Sequence, residues 1–525
     1  MTRSAEGSGR LVRSGAASAA LSRGQADETS APLWPERAAM CGVVLVYVAL
    51  RAPLLFPNTL PLGWNSDAAI FGLMAKSIFA RRAFPIFFWG QSYMGPLTSW
   101  VTVLVALFTR AVNPFALRAA AMLEGIGAIV FFWLGLRRTF DARSVAIAML
   151  WVAIGPAFLL PFVIAPIGAE QMFFLSAVLF WFGSRNWFWF GVLSGFGWWI
   201  NQGVAFVVFG VIVVEVWRSE WWGAVLRTAA GRRRPIEYVV YLLLFDALLG
   251  ALYEFGPRVP ALFLYYPVLD PVALAVIIYV LGKLPLPWPP LRTAALYAAG
   301  FLIGYAPVII GGLLHAYPST YSSGITGISF GELPGHIRAV VPDLLPFAIG
   351  LLGIRKLRAR PVELMIVVLA LIFYLGSSRV HPGQTRYIVA ALPIVYAFAA
   401  EELMRWRSVG WVAAAAVAVT LAVPRMQEIK NVEQVRWEAY GNFIPNRDPR
   451  PIVANIERAG YRTCYAQYWL AYKLEWVSDG KVRFIPFHSY DRTPAESRRR
   501  IAAPDRKCFV AKDGSVTLAS VPPPL

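Results

Sequence analysis

Apolar segments of nearly bilayer length recur through most of this 525-residue chain. A membrane-spanning helix needs about 20 mostly apolar residues, and no water in the bilayer core satisfies its backbone groups. Fourteen segments reach or approach this length, at about 40–57, 96–112, 116–136, 143–161, 164–183, 187–199, 203–217, 237–254, 265–283, 292–312, 337–354, 362–378, 386–403 and 409–424. Because hydrophobic residues make up 58% of the chain and charged residues only 15%, the sequence predicts an all-α polytopic membrane protein.

Clusters of arginine between the apolar segments indicate which side each loop faces. Short Arg-rich loops tend to stay in the cytoplasm. Four clusters are separated by even numbers of segments and can share that side: Arg137-Arg138 with Arg143, Arg232 to Arg234, Arg355 to Arg360, and Arg405 with Arg407. The net charge of +19 therefore reports membrane topology, and no nucleic-acid partner is predicted.

This topology places Asp67 on the exported side only if one early segment fails to span. Either 96–112 is a partial or tilted helix, or 187–217 is one long helix. Both choices give about thirteen transmembrane helices, a cytoplasmic N-terminus and an exported C-terminus. The predicted location is the cytoplasmic (inner) membrane.

The composition changes near both ends of the chain. Residues 1–38 are rich in Ser, Gly, Ala and Arg and are predicted to form a disordered cytoplasmic tail, followed by a transmembrane domain over 39–424. Residues 425–525 carry more charge and predict a small exported α/β domain. Its expected elements are a helix at 452–459, strands or short helices at 461–465, 468–476 and 482–486, and a hairpin turn at Asp479-Gly480.

The first loop, 58–95, has the richest set of polar side chains. A carboxylate at a membrane boundary is costly unless it is solvated, paired or used, so Asp67 is a candidate catalytic base. A helix-capping role is the structural alternative, because Ser66 and Asp67 precede an amphipathic stretch at 68–80 that could lie flat on the membrane. The other candidates in this loop are Lys76, as a phosphate ligand, and Asn65, Gln91 and Tyr93, as substrate ligands.

Two further motifs fall on the same predicted side as Asp67. Glu170 begins the 164–183 segment and is a candidate substrate or metal ligand, although an acidic residue in a first helical turn is ordinary. Trp199 and Asn201, near paired glycines, could form a sugar-stacking platform, although interfacial Trp is common as an anchor.

Cations also lie in the predicted exported loop before the 386–403 segment. Arg379, His381 and Arg386, with Tyr387, run against the positive-inside trend, and an anionic lipid phosphate would account for them. Snorkelling of interfacial arginine is the alternative explanation.

Read in order, these motifs resemble bacterial GT-C membrane glycosyltransferases, relatives of the protein O-mannosyltransferases and of the lipid A aminoarabinose transferase. The matching residues are Asn65-Ser66-Asp67-Ala68, Gly90 to Leu97, Gly168 to Glu170, Gly197-Trp198-Trp199, Gly304 to Pro307, Arg386-Tyr387, and Tyr465 to Tyr472. One departure is Ala68, where the O-mannosyltransferases have a second acidic residue. That departure leaves the acceptor open among a glycan, a lipid and a protein.

The resemblance implies a polyprenyl-phosphate-linked sugar donor, an acceptor on the outer face, and inversion at the anomeric carbon. It implies that Asp67 is the general base and that Arg379, Arg386 and Lys76 stabilise the leaving phosphate. No cofactor is indicated, and a divalent metal remains possible. The alternative functions are a transporter or flippase of polyprenyl-linked sugars without catalysis, and a structural protein whose tail binds envelope polymers.

The three cysteines show no metal-binding spacing. Cys464 and Cys508 both fall in the predicted exported domain, in apolar strings that read as neighbouring strands. In an oxidising compartment they would either form a disulfide or remain as two buried thiols. Cys41 lies in the first apolar segment and is expected to stay apart.

Overall fold

The structure is a computed structural model, and it is described here for most of the predicted transmembrane and C-terminal regions. The described residues are 34–56, 66–91, 94–155, 168–220, 291–313, 333–337, 359–376, 385–430, 449–487, 491, 493, 497–498, 501–502, 506–511 and 515–518.

Within these residues the part before the C-terminal domain is helical. The helices are α1 Trp34–Arg51, α2 Ser66–Phe79, α3 Leu97–Thr109, α4 Pro114–Leu136, α5 Ala142–Ile154, α6 Ala169–Phe182, α7 Trp187–Ile200, α8 Ala205–Arg218, α9 Leu291–Leu313, α10 Pro361–Gly376, α11 Leu392–Met404 and α12 Arg407–Lys430. Helix α1 therefore begins before the predicted boundary at residue 39, and α12 continues beyond 424.

Local sequence explains several helix starts. The Asn113 side chain accepts a hydrogen bond from the Ala116 N–H, and Pro114 occupies the first helical position, where it costs no hydrogen bond. Asp141 caps α5 by accepting from the N–H groups of Arg143 and Ser144. Hydrogen bonds from Ser144 and Arg143 outweigh the effect of burial and lower the pKa of the Asp141 carboxyl.

Three helices among the described residues are long and apolar enough to cross a membrane: Pro35–Leu55, Pro114–Leu136 and Arg292–Gly311. Shorter apolar helices include Leu97–Thr109, Ala142–Ile154, Pro361–Leu375 and Arg407–Val423. The predicted number of about thirteen spans includes segments such as 237–254 and 265–283 that lie outside the described residues, so it stays a prediction.

The described residues of three of the four arginine clusters lie at one end of the helical bundle, which we call the basic face. Arg137 pairs with Glu36 at the start of α1, at 2.9 Å. Arg360 donates to the Thr139 carbonyl at 2.9 Å and forms a bidentate pair with Glu401, near the end of α11. Burial and the nearby Arg185 lower the pKa of Arg138, on this face, to about 10. The fourth cluster, 232–234, lies outside the described residues.

Helix α3 does not cross the bundle. Its first turn contacts the middle of α4, where the Thr98 hydroxyl donates to Glu124 at 3.0 Å, and its last turn leads directly to Pro114 at the start of α4. Because α4 ends at the basic face, α3 and the first half of α4 form a hairpin in the opposite half of the molecule. This agrees with the prediction that 96–112 is a partial helix.

The alternative of one long helix over 187–217 is wrong. A short 3-10 turn, Gln202–Val204, separates α7 from α8. The chain reverses there, because Glu215 near the end of α8 accepts a hydrogen bond from Ser184, which precedes α7, at 2.9 Å.

Helices α7 and α9 approach each other so closely that only glycine fits at four contact positions. A Cβ atom on Gly191 or Gly195 would lie 2.2 or 2.1 Å from a carbonyl oxygen of α9. A Cβ atom on Gly300 or Gly304 would lie 2.0 Å from a carbonyl oxygen of α7. Each helix thus carries two small residues four positions apart, the spacing that brings helix backbones together in membranes.

The C-terminal domain is a small α/β unit, as predicted. Its elements are α13 Pro449–Arg458, β1 Thr463–Gln467, α14 Tyr468–Val477, β2 Arg483–Phe487, β3 Lys507–Val510 and β4 Val516–Leu518. The strand order is β2-β1-β3-β4; β1 is parallel to both β2 and β3, and β4 is antiparallel to β3.

Two predictions for this domain can be checked. Cys464 and Cys508 face each other across the β1–β3 pair, with Cα atoms 4.4 Å apart, and form a disulfide, which decides between the two alternatives that the sequence left open. The predicted hairpin turn at Asp479-Gly480 is wrong. These residues end α14, both with positive φ, and parallel strands need such a helical crossover in place of a hairpin.

Candidate active site

Asp67 lies in the first turn of α2 and is half-buried. The predicted surface helix is instead enclosed, because nearly every residue from Ser66 to Ile78 is buried. On one side the Ser99 hydroxyl of α3 donates to the Phe71 carbonyl at 2.9 Å, and Phe71 packs on Phe88 with ring centroids 4.6 Å apart. The helix therefore does not lie flat on a membrane surface, because it is covered on several sides.

On its other side α2 contacts the C-terminal domain. The Ser66 hydroxyl donates to the Tyr468 carbonyl at 2.7 Å, and the Tyr468 hydroxyl donates to Asp67 Oδ1 at 3.2 Å. A Cβ atom on Gly72 would lie 2.4 Å from the Trp476 ring, so the indole lies directly against the α2 backbone. The candidate base is therefore held between the transmembrane part and the C-terminal domain.

The end of the first loop folds back on itself and pairs with the loop after α7. Within the loop the N–H of Gln91, a buried candidate, donates to the Phe88 carbonyl at 2.9 Å. The Gly95 N–H donates to the Ile200 carbonyl at 2.9 Å, and Met94 forms a β-bridge with Asn201. Two motifs that are about a hundred residues apart in sequence thus form one structural unit.

Trp199 and Asn201 both serve this junction. The indole N–H of Trp199 donates to the Ile86 carbonyl at 2.8 Å, and its ring is buried edge-on against Trp100. The Asn201 amide donates to the Gly168 carbonyl at 3.0 Å. Buried rings do not offer a flat face to a sugar, so the structure gives Trp199 a role in closing the loop.

The Gly168–Gln171 motif completes the cluster. Gly168 has a φ of +90°, a conformation that favours glycine, and its N–H donates to Glu170 Oε2 at 3.1 Å. The Gln171 amide donates to the carbonyls of Gly95 and Ile200 at 3.4 and 3.2 Å. Glu170 is buried at this point, and Thr98 links the cluster to Glu124 of α4, because its N–H donates to Gln171 Oε1 at 3.3 Å and its hydroxyl donates to Glu124.

Lys76 is at the far end of α2, about 13 Å along the helix axis from Asp67. Its ammonium pairs with Asp479 at 2.5 Å, donates to the Trp476 carbonyl at 3.3 Å, and lies 4.0 Å from the centroid of a Trp476 ring. These contacts make Lys76 an anchor of the C-terminal domain on α2.

The remaining candidates lie at or beyond the edge of the described residues. Asn65, Tyr93, Arg379 and His381 fall outside them, and so does the side chain of Arg386. The backbone of Arg386 belongs to a 3-10 turn, Thr385–Ile388, that precedes α11. The ring of Tyr387, in the same turn, packs edge-on against Phe373 of α10, with centroids 5.6 Å apart.

The sequence analysis did not assign roles to Tyr468, Gln171 or Thr98. Tyr468 lies in a motif that resembles the C-terminal domain of the family, but its partner Asp67 is 401 positions away along the chain. Gln171 follows Glu170 directly, and two adjacent polar residues at the start of an apolar segment were the available signal. Among the described residues no group of three or more His, Cys, Asp or Glu side chains could hold a metal ion.

The similarity of this chain to known proteins lies in its structure and not in its sequence. No family model matches the sequence, and no curated protein matches it closely enough to count as a relative. The structure is similar to the archaeal oligosaccharyltransferase AglB from Archaeoglobus fulgidus, in complex with an inhibitory peptide and a dolichol-phosphate. The TM-score is 0.47 at 15% identity, over 86% of this chain and 64% of AglB.

A second similar structure is ArnT from Cupriavidus metallidurans bound to undecaprenyl phosphate, with a TM-score of 0.44 at 15% identity, over 89% of this chain and 93% of ArnT. Both proteins are GT-C glycosyltransferases, the class that the motifs of this chain resemble. The chain spans just under two thirds of the length of AglB, at 64%. At these scores the similarity is one of general helical arrangement, and roles of single residues rest on the contacts described above.

Proposed function

We propose that this protein is an integral membrane glycosyltransferase of the GT-C type. It moves a sugar from a polyprenyl-phosphate donor to an acceptor hydroxyl on the outer face of the cytoplasmic membrane, with inversion. The observation that carries the proposal is the position of Asp67. Asp67 is half-buried, and its carboxylate accepts a hydrogen bond from Tyr468. Its helix α2 is bonded through Phe71 to Ser99 of α3, which begins beside the point where the first loop, the Gly168–Gln171 motif and the loop after α7 converge.

The chemistry requires a base more than an acid. The Asp67 carboxylate takes the proton of the acceptor hydroxyl as that oxygen attacks the anomeric carbon. The new carbon–oxygen bond forms on the face opposite the phosphate, and the bond from the anomeric carbon to the phosphate oxygen breaks. Its electron pair leaves with the polyprenyl phosphate, which needs no proton because cations can stabilise its charge.

We assign the phosphate to Arg386 and Arg379, together with His381 and Tyr387, and leave Lys76 out of this group because Asp479 and Trp476 engage its ammonium. Glu170 and Asn201 shape the acceptor side through the buried cluster with Gly168. The sugar and the acceptor remain open, and Ala68 continues to argue against a close relation to the protein O-mannosyltransferases.

The alternative is a transporter or flippase of polyprenyl-linked sugars. Such a protein would be expected to align charges along a path through the bilayer. In the described spans the buried arginines instead bind backbone carbonyls of neighbouring segments. Arg51 donates to Ala153 at 2.5 Å, and Arg118 donates to Leu54 at 3.0 Å. These contacts join helices together, which favours the enzyme over the transporter.

Substitution of Asp67 by Asn tests the proposal. The change keeps the size of the side chain and removes its basicity, so transfer should fall by about 10²- to 10⁴-fold. Lipid-linked sugars would be profiled by mass spectrometry in a strain lacking the gene and complemented with wild type, Asp67→Asn or Asp141→Asn. Asp141→Asn is the matched control, because Asn also caps a helix and residue 141 lies beside the basic face.

We expect the donor to accumulate with Asp67→Asn, as in the deletion strain, and to be consumed with Asp141→Asn. The variant must be present at the normal level and run as folded protein in detergent. Full complementation by folded Asp67→Asn would refute the assignment of the base and favour the flippase.

A further inference from the structure

Helix α2 is fixed to the C-terminal domain at three levels. Near its start Ser66 bonds the Tyr468 backbone, in its middle Gly72 lies against Trp476, and near its end Lys76 pairs with Asp479. All three partners belong to α14 or to the turn that ends it. The C-terminal domain therefore sets the position of the whole helix that carries the candidate base.

Tyr468 is itself held firmly. It is the first residue of α14 and follows β1 directly, which is joined to β3 by the Cys464–Cys508 disulfide. Its side chain is only 6% exposed, and its ring packs edge-on against Tyr472, with centroids 5.5 Å apart. A phenol fixed in this way can hold a partner in one orientation, because little side-chain freedom remains to be lost.

We propose that Tyr468 is a positioning residue for Asp67, so that the C-terminal domain forms part of the active site. The hydroxyl donates to Oδ1 of the carboxylate at 3.2 Å and so sets the direction in which Oδ2 points. A general base must lie within hydrogen-bond reach of the proton that it takes, and a small error in its orientation is costly. This inference rests on the proposed role of Asp67 as the base.

The test is Tyr468→Phe in the purified full-length protein in detergent, with the lipid extract from the deletion strain as the donor probe. Phe keeps the ring and removes the hydroxyl. We expect kcat to fall roughly ten- to a hundredfold, the effect of losing one hydrogen bond to a charged group. The apparent KM for the extracted donor should stay within about twofold, because the contact acts on the base and not on donor binding.

The matched control is Tyr472→Phe. Tyr472 lies one helical turn further along α14, is fully buried, and donates to Asp491 at 3.2 Å, within its own domain. The variant keeps the ring, which packs in the same apolar cluster as α2, and removes a hydroxyl that bonds Asp491 and not Asp67, so kcat should stay near the wild-type value. A general weakening of the domain would lower kcat in both variants alike, whereas loss of the positioning contact would lower kcat only in Tyr468→Phe.

The outcomes separate the two proposals. If folded Asp67→Asn remains active, the proposed function fails. If Asp67→Asn is inactive but Tyr468→Phe keeps the wild-type kcat, or changes only KM, the positioning role alone is refuted. If Tyr468→Phe does not survive extraction into detergent, the same variant is assayed in isolated membranes, with kcat expressed per folded protein. An unchanged kcat of Tyr468→Phe in those membranes would overturn the inference, because the hydroxyl that bonds Asp67 is absent.

Discussion

The contact between α7 and α9 gives a prediction that does not depend on function. Gly195→Ala would place a Cβ atom 2.1 Å from the Phe301 carbonyl oxygen. Atoms in ordinary contact are about 3.5 Å apart, so the helices must separate by more than about 1 Å. The carbonyl cannot turn away, because it belongs to the backbone of a regular helix.

The size of the effect can be estimated against a control. Overpacking of this kind costs about 1–3 kcal/mol. Alanine is intrinsically better than glycine in a helix by up to about 1 kcal/mol, which offsets part of the cost. Gly42→Ala in α1 receives the same intrinsic gain without a clash, because nothing lies within 4 Å of the added atom. The difference between the two variants therefore measures the clash.

The assay is unfolding of the purified protein in mixed micelles with increasing SDS, followed by circular dichroism. We expect Gly195→Ala to unfold at a lower SDS fraction than Gly42→Ala, because both receive the intrinsic gain of alanine and only Gly195→Ala meets a clash. In the double variant Gly195→Ala with Gly304→Ala, the loss of stability should be smaller than the sum of the losses in the two single variants. Helices that one methyl group has already separated have room for the second. Equal midpoints for Gly195→Ala and Gly42→Ala would refute the close contact.

Two further predictions concern the C-terminal domain and the donor. Replacing Cys508 by Ser should lower the free energy of unfolding of the domain by about 4 kcal/mol, as estimated for a closed loop of this length. Protease should therefore cleave the domain faster in this variant than in the control Cys41→Ser. Equal cleavage rates in the two variants would contradict the estimate. Arg386→Ala should weaken binding of the lipid-phosphate donor roughly ten- to a hundredfold in a binding assay with the extracted donor. The control Arg82→Ala removes an equal charge in the first loop and should leave the affinity for the donor unchanged. An unchanged affinity in Arg386→Ala would leave Arg386 as an interfacial anchor.

The helices were the most predictable part of the molecule. The predicted segments 116–136 and 292–312 correspond closely to Pro114–Leu136 and Leu291–Leu313. Apolar length and local capping residues determine such helices, and both are visible in a short window of sequence. The placement of three arginine clusters at one face also followed from sequence, because the order of segments and loops is preserved along the chain.

The turn at Asp479-Gly480 shows where local signals fail. Asp-Gly after a run of aromatic residues is typical of a β-hairpin, but the same pair ends a helix equally well because both residues tolerate positive φ. The choice depended on whether β1 and β2 are parallel, and this is decided by strand pairing across the domain. No property of the dipeptide contains that information.

The site was predictable as a set of motifs but not as an arrangement. Asp67, Glu170 and Asn201 stood out because each is polar beside an apolar segment, whereas Tyr468 was one aromatic residue in an aromatic string. Its role depends on a contact between residues 401 positions apart, and the enclosure of α2 depends on the same contact. The residues of α2 alone thus predict a surface helix, whereas the C-terminal domain covers α2 and makes it a buried helix. For this reason we expect removal of that domain to affect the geometry at Asp67 as well as the stability of the protein.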